Sequence, residues 1–266
     1  MPPVDGAGFL DLAERAARTA GELLLELWAR PARGVESKST PTDVVSDADR
    51  ESERLLKRLI LAERPDDGFV AEETGEAASR SGVTWVLDPL DGTVNFLFGI
   101  PDWCVSVGVE DPDGALAGVV YNPTRKETFS ASRGAGARLN GETIKASDKS
   151  DLTTALIGTG FAYVPEAREI QARRMPELIP RVRDIRRAGS AALDLASVAC
   201  GRLDGHFEAP MERWDTAAGA LLVREAGGVV SDLEGPLDLS SGLIAAGANL
   251  HDKLRALVLG EAAPGG

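Results

Sequence analysis

Trp85-Val-Leu-Asp88-Pro-Leu-Asp91-Gly-Thr-Val-Asn-Phe96 is the stretch on which the reading of this chain turns. Its apolar run, Trp85-Val86-Leu87, reads as the end of a buried strand. The strand delivers Asp88, and Pro89 then fixes φ and stops the ladder, so the backbone is expected to turn there. Asp91 follows within one turn, and Gly92 permits a sharp bend. Two carboxylates at the exit of an apolar strand are costly unless their charge is compensated. No Lys or Arg lies in the stretch. Carboxylate oxygens are ligands of magnesium and calcium, so a divalent cation is the expected compensation. Gly92 and Thr93 would then offer backbone N–H groups to an anion.

A surface turn is the plainer alternative, because Asp, Pro and Gly are the usual turn formers. A calcium loop of the EF-hand kind fits poorly: counted from Asp88, the position that needs a bidentate Glu is Gly99. Other acids along the chain tip the balance toward a metal site. Phe69-Val70-Ala71 is a short strand that ends in Glu72 and Glu73, and strand alternation lets only one of the two face a site. Trp214-Asp215 opens a helix whose Ala217, Ala218 and Gly219 allow close packing. Each acid also has a simpler reading, a solvated turn for the glutamates and a helix cap for Asp215.

The remaining composition sets bounds. The chain has 266 residues, 43% of them hydrophobic, enough for a substantial core in one large domain or two joined halves. A formal charge of −13 argues against nucleic-acid or anionic-membrane partners, which need clustered cations. It suits an enzyme that gathers cations and lets metal hold phosphate. Cys104 and Cys200 match no zinc spacing and read as reduced thiols of a cytoplasmic protein. Neither a signal peptide nor a membrane-length apolar run is visible, so export and spanning are not expected.

Residues 7–30 carry apolar positions at helical spacing and form an amphipathic helix, ended before Pro31. A loop over 31–42 leads to a second helix capped by Ser46 or Asp47. After the central stretch, β signals at 103–110, 115–121 and 126–132, with the hairpin dipeptide Asn140-Gly141, predict an antiparallel sheet. From about Asp151 the pattern alternates: a strand at 156–158, a helix at 166–179, a strand at 182–185, and a helix entered through Ser190. A strand over 203–208 then carries Glu208 near its end, and further segments lie at 228–232, 243–246 and 250–259. Residues 1–148 and 149–266 are thus expected as two halves of one compact unit, with a seam near 145–155 and the site between them. Gly158-Thr-Gly160 begins like a dinucleotide loop, but Tyr163 stands where a third Gly is required, which excludes that motif.

Three segments, Glu72-Glu73, Asp88-Pro-Leu-Asp91-Gly-Thr-Val-Asn-Phe96 and Trp214-Asp215-Thr-Ala-Ala-Gly219, resemble the signatures of the inositol monophosphatase family, and the likeness spans nearly the whole chain. Thr159-Gly-Phe161, Arg187-Ala-Gly-Ser-Ala-Ala-Leu-Asp194 and Gly201-Arg-Leu-Asp-Gly205 look like its bacterial branch. The resemblance implies an α/β fold, the alternating α/β/α/β/α layered sandwich of the sugar-phosphatase type. It also implies hydrolysis of a phosphate monoester, myo-inositol 1-phosphate first, with two or three Mg²⁺ ions and lithium sensitivity. By the same likeness, one ion falls to Glu72, Asp88 and the Leu90 carbonyl, and a second to Asp88, Asp91 and Asp215. A third, looser ion would lie near Glu72. Thr93, with Asp49 accepting its hydroxyl hydrogen, would orient the attacking water, and Glu72 would help deprotonate it. Lys38-Ser-Thr-Pro-Thr-Asp43 resembles the family's mobile active-site loop. Asp91, Gly189, Ser190, Ala191 and Glu208 match substrate contacts, and Gly92 and Thr93 phosphate contacts. A homodimer is implied as well. Left open are histidinol phosphate, fructose 1,6-bisphosphate or a nucleotide phosphate as substrate, and a metal-binding regulatory partner that turns over little. Neither His206 nor His251 lies in a signature segment, so no phosphohistidine route is expected.

Overall fold

A computed structural model of the protein describes residues 6–30, 32–38, 44–233 and 241–261. Helix α1 (Gly6–Trp28) buries Phe9, Leu12, Ala13, Ala16, Ala17, Ala20, Gly21 and Leu24, the face its periodicity marks. A two-stranded ribbon, β1 (Glu36–Ser37) and β2 (Val44–Val45), follows. Helix α2 (Asp47–Glu63) is capped by Ser46 in a reciprocal capping box with Asp49. Strands β3 (Gly68–Ala71), β4 (Gly75–Ala77) and β5 (Thr84–Asp91) lead to the short helix α3 (Thr93–Leu97). Then come β6 (Cys104–Asp111), β7 (Gly114–Asn122), β8 (Glu127–Ser132), β9 (Ala137–Leu139) and β10 (Glu142–Thr143). These make one eight-stranded sheet in the order β10-β9-β8-β7-β6-β5-β3-β4. Only β3 and β5 pair in parallel within it. Asn140 and Gly141, both at positive φ, turn β9 into β10 as that dipeptide predicts.

The chain leaves this sheet after Thr143 and enters a second at β11 (Leu156–Thr159). The later elements are α4 (Pro165–Ala172), α5 (Met175–Leu178), β12 (Asp184–Arg186), α6 (Ala191–Ala199), β13 (Gly205–Glu208), α7 (Arg213–Glu225), β14 (Gly228–Leu233), β15 (Gly242–Gly247) and α8 (His251–Leu259). The second sheet runs β12-β11-β13-β15-β14, parallel on its first three strands and antiparallel on the rest.

Three apolar clusters show the layering. One joins α1 and α2 to the outer face of the large sheet, around Trp85, Trp103 and Leu87. A second fills the space between the sheets with α6 and α7, around Leu195, Leu222 and Phe129. A third packs α8 and the Leu178 region on the far face of the small sheet. Helix pair, sheet, helix pair, sheet and outer helices thus alternate, the α/β/α/β/α sandwich that the resemblance implies. Among the described residues no helix is long and apolar enough to cross a membrane.

Two expectations are corrected. The ladder does not stop at Pro89: β5 continues to Asp91, with Asp88 opposite Ser106 and Asp91 opposite Cys104. One extra residue is accommodated in this bulge, and the missing N–H of Pro89 falls where no ladder bond is required. The helix expected over 166–179 is instead α4, then α5, then a 3₁₀ turn at Ile179–Arg181. Pro176 explains the break, because its ring collides with the carbonyl four residues back, at Ala172, the last residue of α4. Strand β4 and the β1–β2 ribbon carry no alternating pattern and were not foreseen.

Candidate active site

The bulge in β5 aims two acids at one place. Asp88 is 2% exposed, and its Oδ1 accepts from the Leu90 amide at 3.0 Å. Asp91, at the strand end, reaches across to the second sheet's helices. Its Oδ2 accepts from Ser190 Oγ at 2.6 Å and from the Ala192 amide at 2.8 Å, at the N-terminus of α6. Asp215 is the third residue of α7 rather than its cap; Glu212 is the N-cap, and its amide donates to Asp215 Oδ2 at 2.7 Å. Glu72 follows β3, with its amide donating to Leu87 O. Three separate elements therefore deliver Glu72, Asp88, Asp91 and Asp215 to one cavity of about 520 Å³.

Burial raises the pKa of all four acids. Asp88 and Asp215 are held well above the usual carboxylate range by burial and by the neighbouring acids. Asp91 is raised by burial against the pull of Ser190 and the α6 amides. Glu72 is pushed up to about 7, burial outweighing its pairing with Lys38. Lys38 Nζ lies 2.7 Å from Glu72 Oε1 and 2.6 Å from Glu73 Oε1, and the two glutamates outweigh burial and raise its pKa. Both glutamates thus reach the lysine, although only Glu72 lines the cavity; the Glu73 amide donates to Glu53 Oε2. Of the segment Lys38–Asp43, residues 39–43 lie outside the described residues.

Among the described residues no group of three or more Asp, Glu, His or Cys side chains is placed to hold a metal ion as it stands. The donors are spoken for elsewhere: Asp91 on α6, Asp215 on the Glu212 amide, Glu72 on Lys38. Their chemistry nonetheless fits a hard divalent cation. Four clustered carboxylates, Asp88 buried and Glu72, Asp91 and Asp215 half-buried, disfavour one another's charged forms and need positive charge, and oxygen is the ligand type such ions take. Lys38 already supplies a cation at one edge of the set.

Beside the acids, Thr93 Oγ1 lies 2.9 Å from Asp49 Oδ1 and 3.1 Å from Leu90 O, both acceptors for its hydrogen. Asp49 is fully buried, and its other oxygen takes the Ser46 amide and hydroxyl, so the α2 capping box also holds Thr93. Burial raises the Asp49 carboxyl despite these bonds. Gly92, at φ 93°, brings the chain past Trp103, where a Cβ would stand 3.0 Å from Asp102 O. Gly189 and Ala191 line the cavity with Gly92 and Thr93. Ser190 does not line it; its hydroxyl donates to Asp91 and so braces that acid. Glu208, at the end of β13, lines the opposite wall, and burial pushes it up to about 7.

Sequence reasoning passed over several residues. Arg187 and Trp214 line the cavity; each opens a segment that carries the family resemblance, yet neither was assigned a role. Asn95 fastens the α3 turn to the second half, its amide nitrogen donating to Asp102 O and to Ala188 O next to Gly189. The Asn in Gly-Thr-Val-Asn was the available signal. His206 is fully buried beside Glu208, and nothing in its neighbourhood of the sequence marked it.

Comparison with known proteins agrees with the geometry. The inositol-1-monophosphatase of Synechocystis sp. is 40% identical over 258 residues, covering 95% of this chain and 89% of that protein. The Nus factor SuhB of Xylella fastidiosa is 41% identical over 227 residues, covering 85% and 82%. The crystal structure of the extragenic suppressor protein suhB from Bartonella henselae superposes with a TM-score of 0.88 at 37% identity, covering 94% of this chain and 98% of that one. The profile of the inositol monophosphatase family matches residues 7–262, so the chain belongs to that family.

Proposed function

We propose that the protein is a magnesium-dependent phosphate monoester hydrolase that converts myo-inositol 1-phosphate to myo-inositol and phosphate. The observation that carries this reading is the gathering of Glu72, Asp88, Asp91 and Asp215 around one cavity beside the Thr93–Asp49 pair. Glu72, Asp88 and the Leu90 carbonyl would hold one ion, and Asp88, Asp91 and Asp215 a second. When bound, magnesium neutralises the phosphate dianion and lowers the pKa of water. The chain's own groups do the rest. Thr93, donating to Asp49, keeps its lone pairs free to accept a hydrogen from the attacking water and so orients it. Glu72 takes the proton of that water. The water oxygen bonds to phosphorus as the bond to the ester oxygen breaks; the alkoxide takes up a proton, Glu72 gives its own back to solvent, and one water is consumed overall. Gly92 and Thr93 would cradle the phosphate, while Asp91, Gly189, Ala191 and Glu208 face the polyol.

The same reading carries a small-molecule sugar-alcohol phosphate as substrate and a cytoplasmic homodimer without nucleic acid. The charge of −13 and the two free thiols support it. Phosphate release should require Mg²⁺, fall to background after thorough EDTA treatment, and be inhibited by Li⁺, the last resting on family likeness alone. Undiminished turnover in EDTA would overturn the mechanism; indifference to lithium would count against the analogy only. A panel with histidinol phosphate, fructose 1,6-bisphosphate and nucleotide phosphates ranks the substrates by kcat/KM. The name of the Xylella relative favours a second, transcription-related role. A variant without turnover that still supported that role would establish it.

A further inference from the structure

His206 sits on β13 with no exposed surface, and neither of its ring nitrogens has a hydrogen-bond partner. Both nonetheless face acids. Nδ1 lies 3.6 Å from Asp194 Oδ2 on α6, and Nε2 lies 3.5 Å from Glu208 Oε2 at the cavity wall. Those distances are just beyond formed hydrogen bonds. They are also not ion pairs: burial pulls the imidazole down to about 3, so the ring is neutral. A neutral ring has one N–H and one lone pair, and it stands between two acids of unequal character. Burial and nearby acids push Asp194 up to about 8, so it keeps its proton at neutral pH. Glu208 stays lower, at about 7, under the field of Arg187. A row running in one direction satisfies every group, and Arg187, the largest charge acting on Glu208, selects the one that leaves that carboxylate ionised. The Asp194 O–H donates to Nδ1, and Nε2–H donates to the Glu208 carboxylate.

The fold makes room for this row on purpose-built ground. Strand β11 lies beside β13, with Gly158 opposite His206. A Cβ on Gly158 would stand 3.0 Å from His206 Nδ1 and 2.8 Å from Leu203 Cδ1, with Asp194 Cγ at 3.5 Å. A Cβ on Gly160 would stand 1.8 Å from Glu208 Oε1. Gly158-Thr-Gly160, which fails as a dinucleotide loop, is the floor on which Asp194, His206 and Glu208 lie.

We infer that His206 is a positioning residue: held by Asp194 and admitted by Gly158, it orients the Glu208 carboxylate toward a substrate hydroxyl. This rests on the reading that Glu208 accepts that hydroxyl. The row closes its few tenths of an ångström when substrate fixes Glu208, as hydrogen bonds that are long in a free enzyme tighten in the complex. The imidazole then acts on a polyol ester through Glu208, and it has no path to the phosphoryl group.

The test is a double-substitution cycle read as the ratio of kcat/KM for inositol 1-phosphate to that for p-nitrophenyl phosphate. His206→Leu, which is nearer the imidazole in volume than a phenyl ring and has no nitrogen to offer, should lower the ratio about tenfold, the effect of one hydrogen bond to a charged group. In a Glu208→Gln background the same change should move the ratio less than about twofold, because the two act as a unit. Equal losses in both backgrounds, or none in either, would overturn the proposal. Glu208→Gln alone tests the underlying reading: if it leaves the ratio unmoved, the hydroxyl contact itself is wrong. A second measurement needs no variant to fold. Nitrogen-15 spectra of the wild-type chain at neutral pH should show His206 neutral and protonated on Nε2. The Nδ1 tautomer, or an imidazolium, would overturn the assigned direction of the row and the proposal with it.

Discussion

Glycines serve the two sheets differently. In the eight-stranded sheet Gly108 and Gly118 lie under α7, where a Cβ would stand 2.8 Å from the Ala217 Cβ and 2.9 Å from the Ala218 Cα. Gly158, on β11 of the five-stranded sheet, and Gly160, just past that strand, instead lie under side-chain ends: Leu203 and His206 over the first, Glu208 over the second. The first pair lets a helix backbone down onto a sheet, and so brings Asp215 over the acids of β5. The second pair admits a row of side chains that ends on Glu208. On the proposed function, the first pair bears on whether hydrolysis occurs at all, and the second on which alcohol is preferred. The difference lies in what each glycine faces, not in the residue type.

The largest effect should come from the first sheet's acids. Asp88→Asn and Asp215→Asn should each lower kcat about a thousandfold on every ester, a loss of several kcal/mol of charge stabilisation. The substrate ratio should hold, since no group facing the polyol changes. Without metal, thermal melts of both variants should match or exceed wild type, because removing one of several clustered charges relieves repulsion. A variant that kept most of its kcat at saturating magnesium would show that the acids of β5 and α7 do not share an ion.

Glu208→Gln should act on the other axis. Losing a charge-assisted hydrogen bond of roughly 1.5–3 kcal/mol corresponds to about ten- to a hundredfold in the ratio of inositol 1-phosphate to p-nitrophenyl phosphate. Equal losses on the two substrates would mean that this wall also carries the metal site, and the contrast between the sheets would collapse.

Exchanging the glycine roles gives a smaller and sharper test. Gly118→Ala presses on helix backbone, which cannot give way locally. It should cost about 1–3 kcal/mol, seen as a lower melting temperature, with both substrates affected alike. Gly160→Ala presses on the far end of a glutamate, which can swing aside. It should leave the melt near wild type and lower the substrate ratio. A large stability loss at Gly160 with an unmoved ratio would reverse the assignment.

How far each part was legible follows from the same physics. Asp88, Asp91 and Gly92 stand together in one short stretch, so a local reading finds them, and the apolar alternation of β5 to β8 gives the antiparallel sheet. The bulge that carries β5 past Pro89 was not legible, because a proline reads as a stop until the pairing partner is known. The break after Ala172 was legible in hindsight from Pro176. His206 was beyond reach: its meaning depends on Asp194 twelve positions earlier and on Gly158 across the sheet. Contacts between side chains on different elements leave no periodicity behind.

A last test probes the polar row through stability. Asp194 is faced by Glu208, Asp91 and Asp102, which raise its pKa, and by Arg187, which lowers it, with burial the largest cause and a value of about 8. An unfolded aspartate titrates near 3.9. Between those values the folded chain holds a proton that the unfolded chain has lost, so stability falls as pH rises through this window. Asp194→Asn removes that dependence. The variant should therefore gain on wild type as pH goes from 5 to 8 in metal-free buffer. Each pH unit inside the window changes the difference by at most about 1.4 kcal/mol, and about 1 kcal/mol corresponds to ~2–4 °C in melting temperature for a chain of this size. Comparing the two proteins at each pH cancels the opposite trend of surface acids such as Asp111, which Arg133 holds below the usual range. Melting curves that keep a constant separation from pH 5 to 8 would mean that Asp194 ionises as freely in the fold as outside it. It would then accept from Nδ1–H of His206 rather than donate to it, and the proposed row would be overturned.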